Sequence, residues 1–129
     1  MTKPNPTEQQ NTDKLYDLTL LEKMSRGNQQ FMLRMLTVFM ETVPPSVQQM
    51  QESFRLAEWQ ELSKQAHKLK STLDTMGIAS LKEPIRKIEN DAKNMDNPVH
   101  LQAELQQLDQ VVKKVLTQID EQINLLNQE

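Results

Sequence analysis

The chain has no cysteine, which excludes disulfides, thiolate catalysis and zinc–sulfur centres. It has two glycines and only 4% aromatic residues, a poor supply for sheets, which draw on aromatic and β-branched side chains. No apolar run approaches the roughly 18 residues of a membrane-spanning helix. The opening MTKPNPTEQQNTD lacks the apolar stretch of a secretory signal. A reducing, cytoplasmic setting is therefore expected. An excess of positive charge is missing too: a net charge of −3 argues against general nucleic-acid binding, which needs Lys and Arg in surplus on one face. Nor is there a nucleotide loop, a metal cluster or a nucleophile–base pair, so an enzyme with its own transfer or hydrolytic activity is disfavoured.

What the chain does have is Gln, Leu, Lys, Glu and Met, all good helix formers, and the composition predicts an all-α fold. Residues 1–14 are polar, contain Pro4 and Pro6, and are expected to be a disordered tail ahead of a folded domain over 15–127. Thr19-Leu20-Leu21-Glu22 reads as a capping box opening a short helix that Gly27 ends, with Asn28 capping the next. That next helix carries Phe31, Met35, Val38, Phe39 and Thr42, meets Pro44-Pro45, and continues with Val47, Met50 and Phe54. Proline lacks an amide donor and crowds the preceding turn, so a kink or a break is expected there. A segment from about 58 to 76 places Leu62, Ala66, Leu69, Leu73 and Met76 on one stripe, closed by Gly77. Ser80-Leu81-Lys82-Glu83 reads as a second capping box with Pro84 in the first turn. The following stripe is Ile78, Leu81, Ile85, Ile88, Ala92 and Met95. After a connection over 94–98, the last helix bears apolar residues from Leu101 to Leu126. One stripe per helix and short connections predict an antiparallel four-helix bundle with a short additional N-terminal helix. Such a bundle buries its own stripes, so a monomer is expected.

The segment QAHKLKSTLDTMGIASL, residues 65–81, holds one of the two histidines. On a helical wheel the stripe from Leu62 to Met76 clusters within about 40° of Leu62, while His67 falls about 140° away. His67 therefore points to solvent. Lys70 and Ser71, three and four residues on, flank it on the helix surface. Neutral imidazole is a competent nucleophile, and a neighbouring ammonium stabilises a phosphoryl group carried on the ring. By geometry alone His67 is either that acceptor or a solvated side chain without a task.

The same segment resembles the signature of histidine-containing phosphotransfer domains, H-x-L-K-G followed by five residues and Gly; His67, Leu69, Lys70 and Gly77 occupy the matching positions. The likeness extends to YDLTLLEKMSRGNQQFMLRMLTVFMETVPPSVQQM at 16–50, to EWQELSKQAHKLK before the histidine and to IRKIEND after it. It implies a phosphorelay intermediate without kinase activity. Such a protein accepts a phosphoryl group from a receiver-domain aspartate and passes it to another receiver. Its expected partners are response-regulator receivers and a hybrid sensor kinase. On that resemblance His67 is the phosphoacceptor, Lys70 the charge stabiliser and Lys68 a weaker cation, with Ser71 and Gly77 accessory. The domain would bind no cofactor itself, and Mg²⁺ would sit in the partner receiver. Ser71 stands where the family normally has Gly, adding a hydroxymethyl group that either crowds a receiver or donates to phosphate. The competing class is an adaptor that binds a receiver or another helical partner without carrying phosphate. Glu89 is expected to be an exposed solubilising carboxylate, Trp59 a packing anchor, and His100 a solvated residue rather than a metal ligand.

Overall fold

Every regular element among the described residues is helical. The structure, a computed structural model, describes residues 14–95 and 97–128, so all of the expected tail except Lys14 lies outside the described residues. In chain order the elements are α1 (Thr19–Ser25), α2 (Gln29–Arg55), α3 (Trp59–Thr75), a 3₁₀ turn (Ala79–Leu81), α4 (Lys82–Asn94) and α5 (Pro98–Asn127).

Helix starts are set by side chains that differ in part from those the sequence suggests. Asn28 accepts from the Phe31 amide at 2.9 Å, the cap its position implies. Neither capping box forms. Asp17 receives both the amide and the hydroxyl of Thr19, at 2.9 and 2.6 Å, and so takes over the start of α1. Ser80 falls inside the 3₁₀ turn, where the Leu81 amide is satisfied by the Ile78 carbonyl. Asn97 caps α5, accepting from Val99 and His100, and Pro98, between Asn97 and Val99, has no amide hydrogen to satisfy.

Of the kink or break expected at Pro44-Pro45, the break does not occur: α2 is one long helix of 27 residues with both prolines inside it. Val43 and Val47 are buried on either side, which pins this stretch to the core. The Ser46 hydroxyl adds a bond to the Thr42 carbonyl at 2.9 Å. The buried stripe of α2 is Leu36, Phe39, Val43, Val47 and Met50, while Val38 and Thr42 are exposed. FMLRMLTVFM is apolar nearly all round, so more than one phase fits the pattern.

α2 and α4 each pack on both α3 and α5, closing the four long helices into a helical bundle with α1 against α2. Ser63 meets Glu89 and Asp74 meets Arg86, so α3 and α4 run antiparallel. Gln29, at the start of α2, reaches the Leu126 carbonyl near the end of α5. The core holds the stripes of α3, α4 and α5 almost as the periodicity places them, although Met95 is exposed. Each fully buried Leu or Ile contributes about 1.5–3 kcal/mol. Trp59 packs edge-on to Phe54, with ring centroids 5.6 Å apart, at the junction of α2 and α3.

Gly77 has φ +64° and ends α3, and a Cβ there would lie 2.3 Å from the Asp17 carbonyl oxygen. The chain before α1 crosses this point, with the Asp17 amide donating to Met76 at 3.1 Å. Glycine is needed for the backbone conformation and for the close approach.

Candidate functional site

The site is built on the seam between α3 and α4. Burying Leu62, Ala66, Leu69 and Leu73 turns the opposite side of α3 outward, and the His67 side chain is 66% exposed. Burying Ile85, Ile88 and Ala92 orients α4 so that Glu89, next to Ile88, faces α3. Its two oxygens are divided between two partners. Oε2 lies 2.8 Å from His67 Nδ1, and Oε1 accepts from Lys70 Nζ at 2.9 Å. The Ser63 hydroxyl donates to the Glu89 backbone carbonyl at 3.0 Å, fixing the register of α4 one turn before His67. Further along the seam, Arg86 Nη2 pairs with Asp74 Oδ2 at 2.6 Å.

This places Glu89 inside the site rather than among the solubilising carboxylates. Hydrogen bonding from Lys70 is the main influence holding its carboxyl below the usual carboxylate range; burial opposes this, and the His67 bond adds to it. An ionised carboxylate only accepts, so the ring nitrogen facing Glu89 carries the hydrogen. In neutral His67 the lone pair is then on Nε2, and the ring is exposed enough for an incoming group to reach it.

His67 borders an open groove of about 560 Å³ that Ser63, Lys64, Lys68, Glu89 and Lys93 also line. Three lysines thus line the groove that His67 borders. Lys68 sits on this rim, as its wheel position implies. Lys70 belongs to the same cluster but reaches His67 through Glu89. Ser71 is exposed, with its hydroxyl 3.5 Å from the Lys68 carbonyl. Gly77 is not brought to the site: ten residues along α3 is about 15 Å, and its role there is the turn against Asp17. His100 is exposed at the start of α5, and no group of three or more potential metal ligands occurs among the described residues.

Glu89 was findable from the turn. In an antiparallel helical hairpin, residues equidistant from the bend face each other. His67 and Glu89 are 22 residues apart and centred on Ile78, the residue after Gly77.

Compared with known families, residues 34–128 match the Hpt domain. No curated protein and no solved structure matches the chain. No helix among the described residues is long and apolar enough to cross a membrane. Hpt domains are helical bundles that act in phosphotransfer during two-component signalling, as phosphocarriers and not kinases, with receiver domains and kinases as partners. With most of its length matching that family and a histidine exposed on the helical seam, this chain belongs to the Hpt domain family.

Proposed function

We propose that His67 is the phosphoacceptor of a phosphorelay intermediate, taking a phosphoryl group from a receiver-domain aspartate and passing it to a second receiver. The observation that carries this reading is the 2.8 Å contact of Nδ1 with Glu89, which leaves Nε2 as the nucleophile of an exposed ring. Receiver phospho-aspartate docks over α3, and the Nε2 lone pair attacks phosphorus in line. The Nε2–P bond forms as the aspartyl O–P bond breaks, and the aspartate leaves as carboxylate. The phosphorylated ring keeps its Nδ1 hydrogen and so becomes cationic; the Glu89 carboxylate beside it offsets that charge. Discharge to a second receiver is the same step reversed.

Lys70 acts in this scheme first on Glu89, holding it ionised and in place. Lys64, Lys68 and Lys93 present positive charge around the acceptor, which suits the acidic pocket of a receiver. Mg²⁺ held in that receiver would neutralise charge on the transferring group. A hybrid sensor kinase carrying a receiver is the proposed upstream donor.

The test is transfer from a radiolabelled phospho-receiver to the wild type and to His67→Gln. Acid-labile, base-stable label is expected on the wild type alone. His67→Gln should keep its fold, because the side chain is exposed. Equal labelling of both would remove His67 from the reaction; no label on either, across several receivers, would favour the adaptor.

A further inference from the structure

The other flank of α4 carries a carboxyl arrangement that the phosphoryl chemistry does not use. The side chain of Glu104, on α5, is 14% exposed, and its Oε1 is buried without a hydrogen-bond partner. Leaving a buried acceptor unpaired is costly. The group beside it is Asp91 on α4, another carboxyl. If both were ionised, neither could donate to the other, and two negative charges would be packed at one seam. A single proton removes both faults: Glu104 as the acid donates its O–H to the Asp91 carboxylate.

Of the elements packed against α5, α4 supplies the charged groups acting on Glu104, namely Asp91 and Lys87. Lys87 Nζ is 4.0 Å from Oε2, beyond hydrogen-bond range, and its side chain is 67% exposed. It offsets the pair only weakly. On α5 itself, His100 stands one turn before Glu104 and is exposed.

We propose that Glu104 and Asp91 share one proton at neutral pH, forming a clasp between α5 and α4 that opens as the medium turns alkaline. Burial, then the hydrogen bond and charge of Asp91, push the Glu104 carboxyl up to about 7. A raised carboxyl has a definite sign. Its stabilising effect is complete below the unfolded value of about 4.5 and is lost as pH rises through the folded one. The proton leaves to water, and two adjacent carboxylates remain with only an exposed ammonium, 4.0 Å from Glu104, to offset them. Because α4 also carries Glu89, opening the clasp loosens the helix that orients His67; this second step rests on the phosphoacceptor reading, whereas the shared proton does not.

The experiment is a pH titration of side-chain carboxyl ¹³C resonances in the full chain, beside urea unfolding at each pH. Glu104 is expected to titrate near neutrality. From pH 6 to 8 the wild-type unfolding constant should rise about tenfold from this group alone. Glu104→Gln keeps the shape and a hydrogen to donate but cannot titrate, so its own change over that range should be smaller by that factor. Asp91→Asn should lower the Glu104 midpoint, because the amide both removes the repelling charge and offers a donor. A Glu104 midpoint at 4–5, or one that Asp91→Asn leaves unmoved, overturns the shared proton. None of these readouts uses phosphate, so they stand apart from the role of His67. If the shared proton holds, the pH profiles of transfer in wild type and Glu104→Gln should diverge above pH 7, and superimposable profiles would overturn the link to the site.

Discussion

On one side of α4, Glu89 lies at the seam with α3; on the other, Glu104 reaches into the seam from α5. Both side chains are largely covered, at 24% and 14% exposure, yet their acidities move in opposite directions. Glu89 is held below the ordinary carboxylate range and Glu104 is pushed up to about 7. Burial pushes both carboxyls up and is the largest cause at Glu104; at Glu89 the Lys70 bond outweighs it. The neighbours decide whether burial prevails. Glu89 has two partners, Lys70 and the Nδ1 side of His67, whereas Glu104 faces Asp91 and has an oxygen with no donor at all. At this depth the donors available decide whether a carboxyl is a stable anion or a proton carrier. One helix thus separates a fixed negative charge from a titrating one.

The strongest way to break that contrast is to remove the fixed charge. Glu89→Ala takes away the acceptor that holds Nδ1–H and the anion that offsets a phosphorylated ring. A hydrogen bond to a charged group is typically worth about 1.5–3 kcal/mol, so transfer to His67 should slow by about 10- to 100-fold. Single-turnover transfer from a phospho-receiver measures the loss, and ring ¹⁵N shifts should show that the Nδ1–H tautomer is no longer selected. A wild-type rate would mean that Glu89 is only a structural neighbour. Lys70→Ala is the next step down. It leaves Glu89 its bond to His67 but removes the main influence holding its carboxyl below the usual range, so the Glu89 midpoint should move upward and transfer should fall by about tenfold. The sign is opposite to that of Glu104: the Glu89 contribution is present above the unfolded value and is lost as pH falls. The stability that Glu89 loses as pH falls through the ordinary carboxylate range should therefore be smaller in Lys70→Ala than in wild type, as urea titrations would show.

The contrast also separates what the sequence discloses from what it hides. The stripe of α3 is strict enough that the outward direction of His67 follows from Leu62, Ala66, Leu69 and Leu73 alone. The phase of α2 is not, because its first turns are apolar on nearly every side; Val38 looks like core and is exposed. Local capping patterns misled twice. Asp17 competes for the Thr19 groups, and the 3₁₀ turn absorbs Ser80; neither competitor is visible in a four-residue motif. Lys70 was legible as a neighbour of His67, but its pairing with Glu89 depends on α4 folding back across the Gly77 turn. Glu104 and Asp91 were not legible, since they are distant in sequence and each looks like an ordinary polar position on an amphipathic helix.

The smallest expected effect is the one that tests the Glu104 side most finely. Lys87 pulls the Glu104 carboxyl down only through space, from 4.0 Å and from a side chain that is 67% exposed. Water and salt screen such a charge, so Lys87→Met should raise the Glu104 midpoint by well under one pH unit, and the rise should shrink further in high salt. Asp91→Asn, acting through the hydrogen bond proposed between the two carboxyls, should move it further and in the other direction. If carboxyl ¹³C titrations gave Lys87→Met the larger shift, Lys87 would be the true partner of Glu104. The two flanks of α4 would then share one logic, a carboxylate and its lysine, and the distinction drawn between them would collapse.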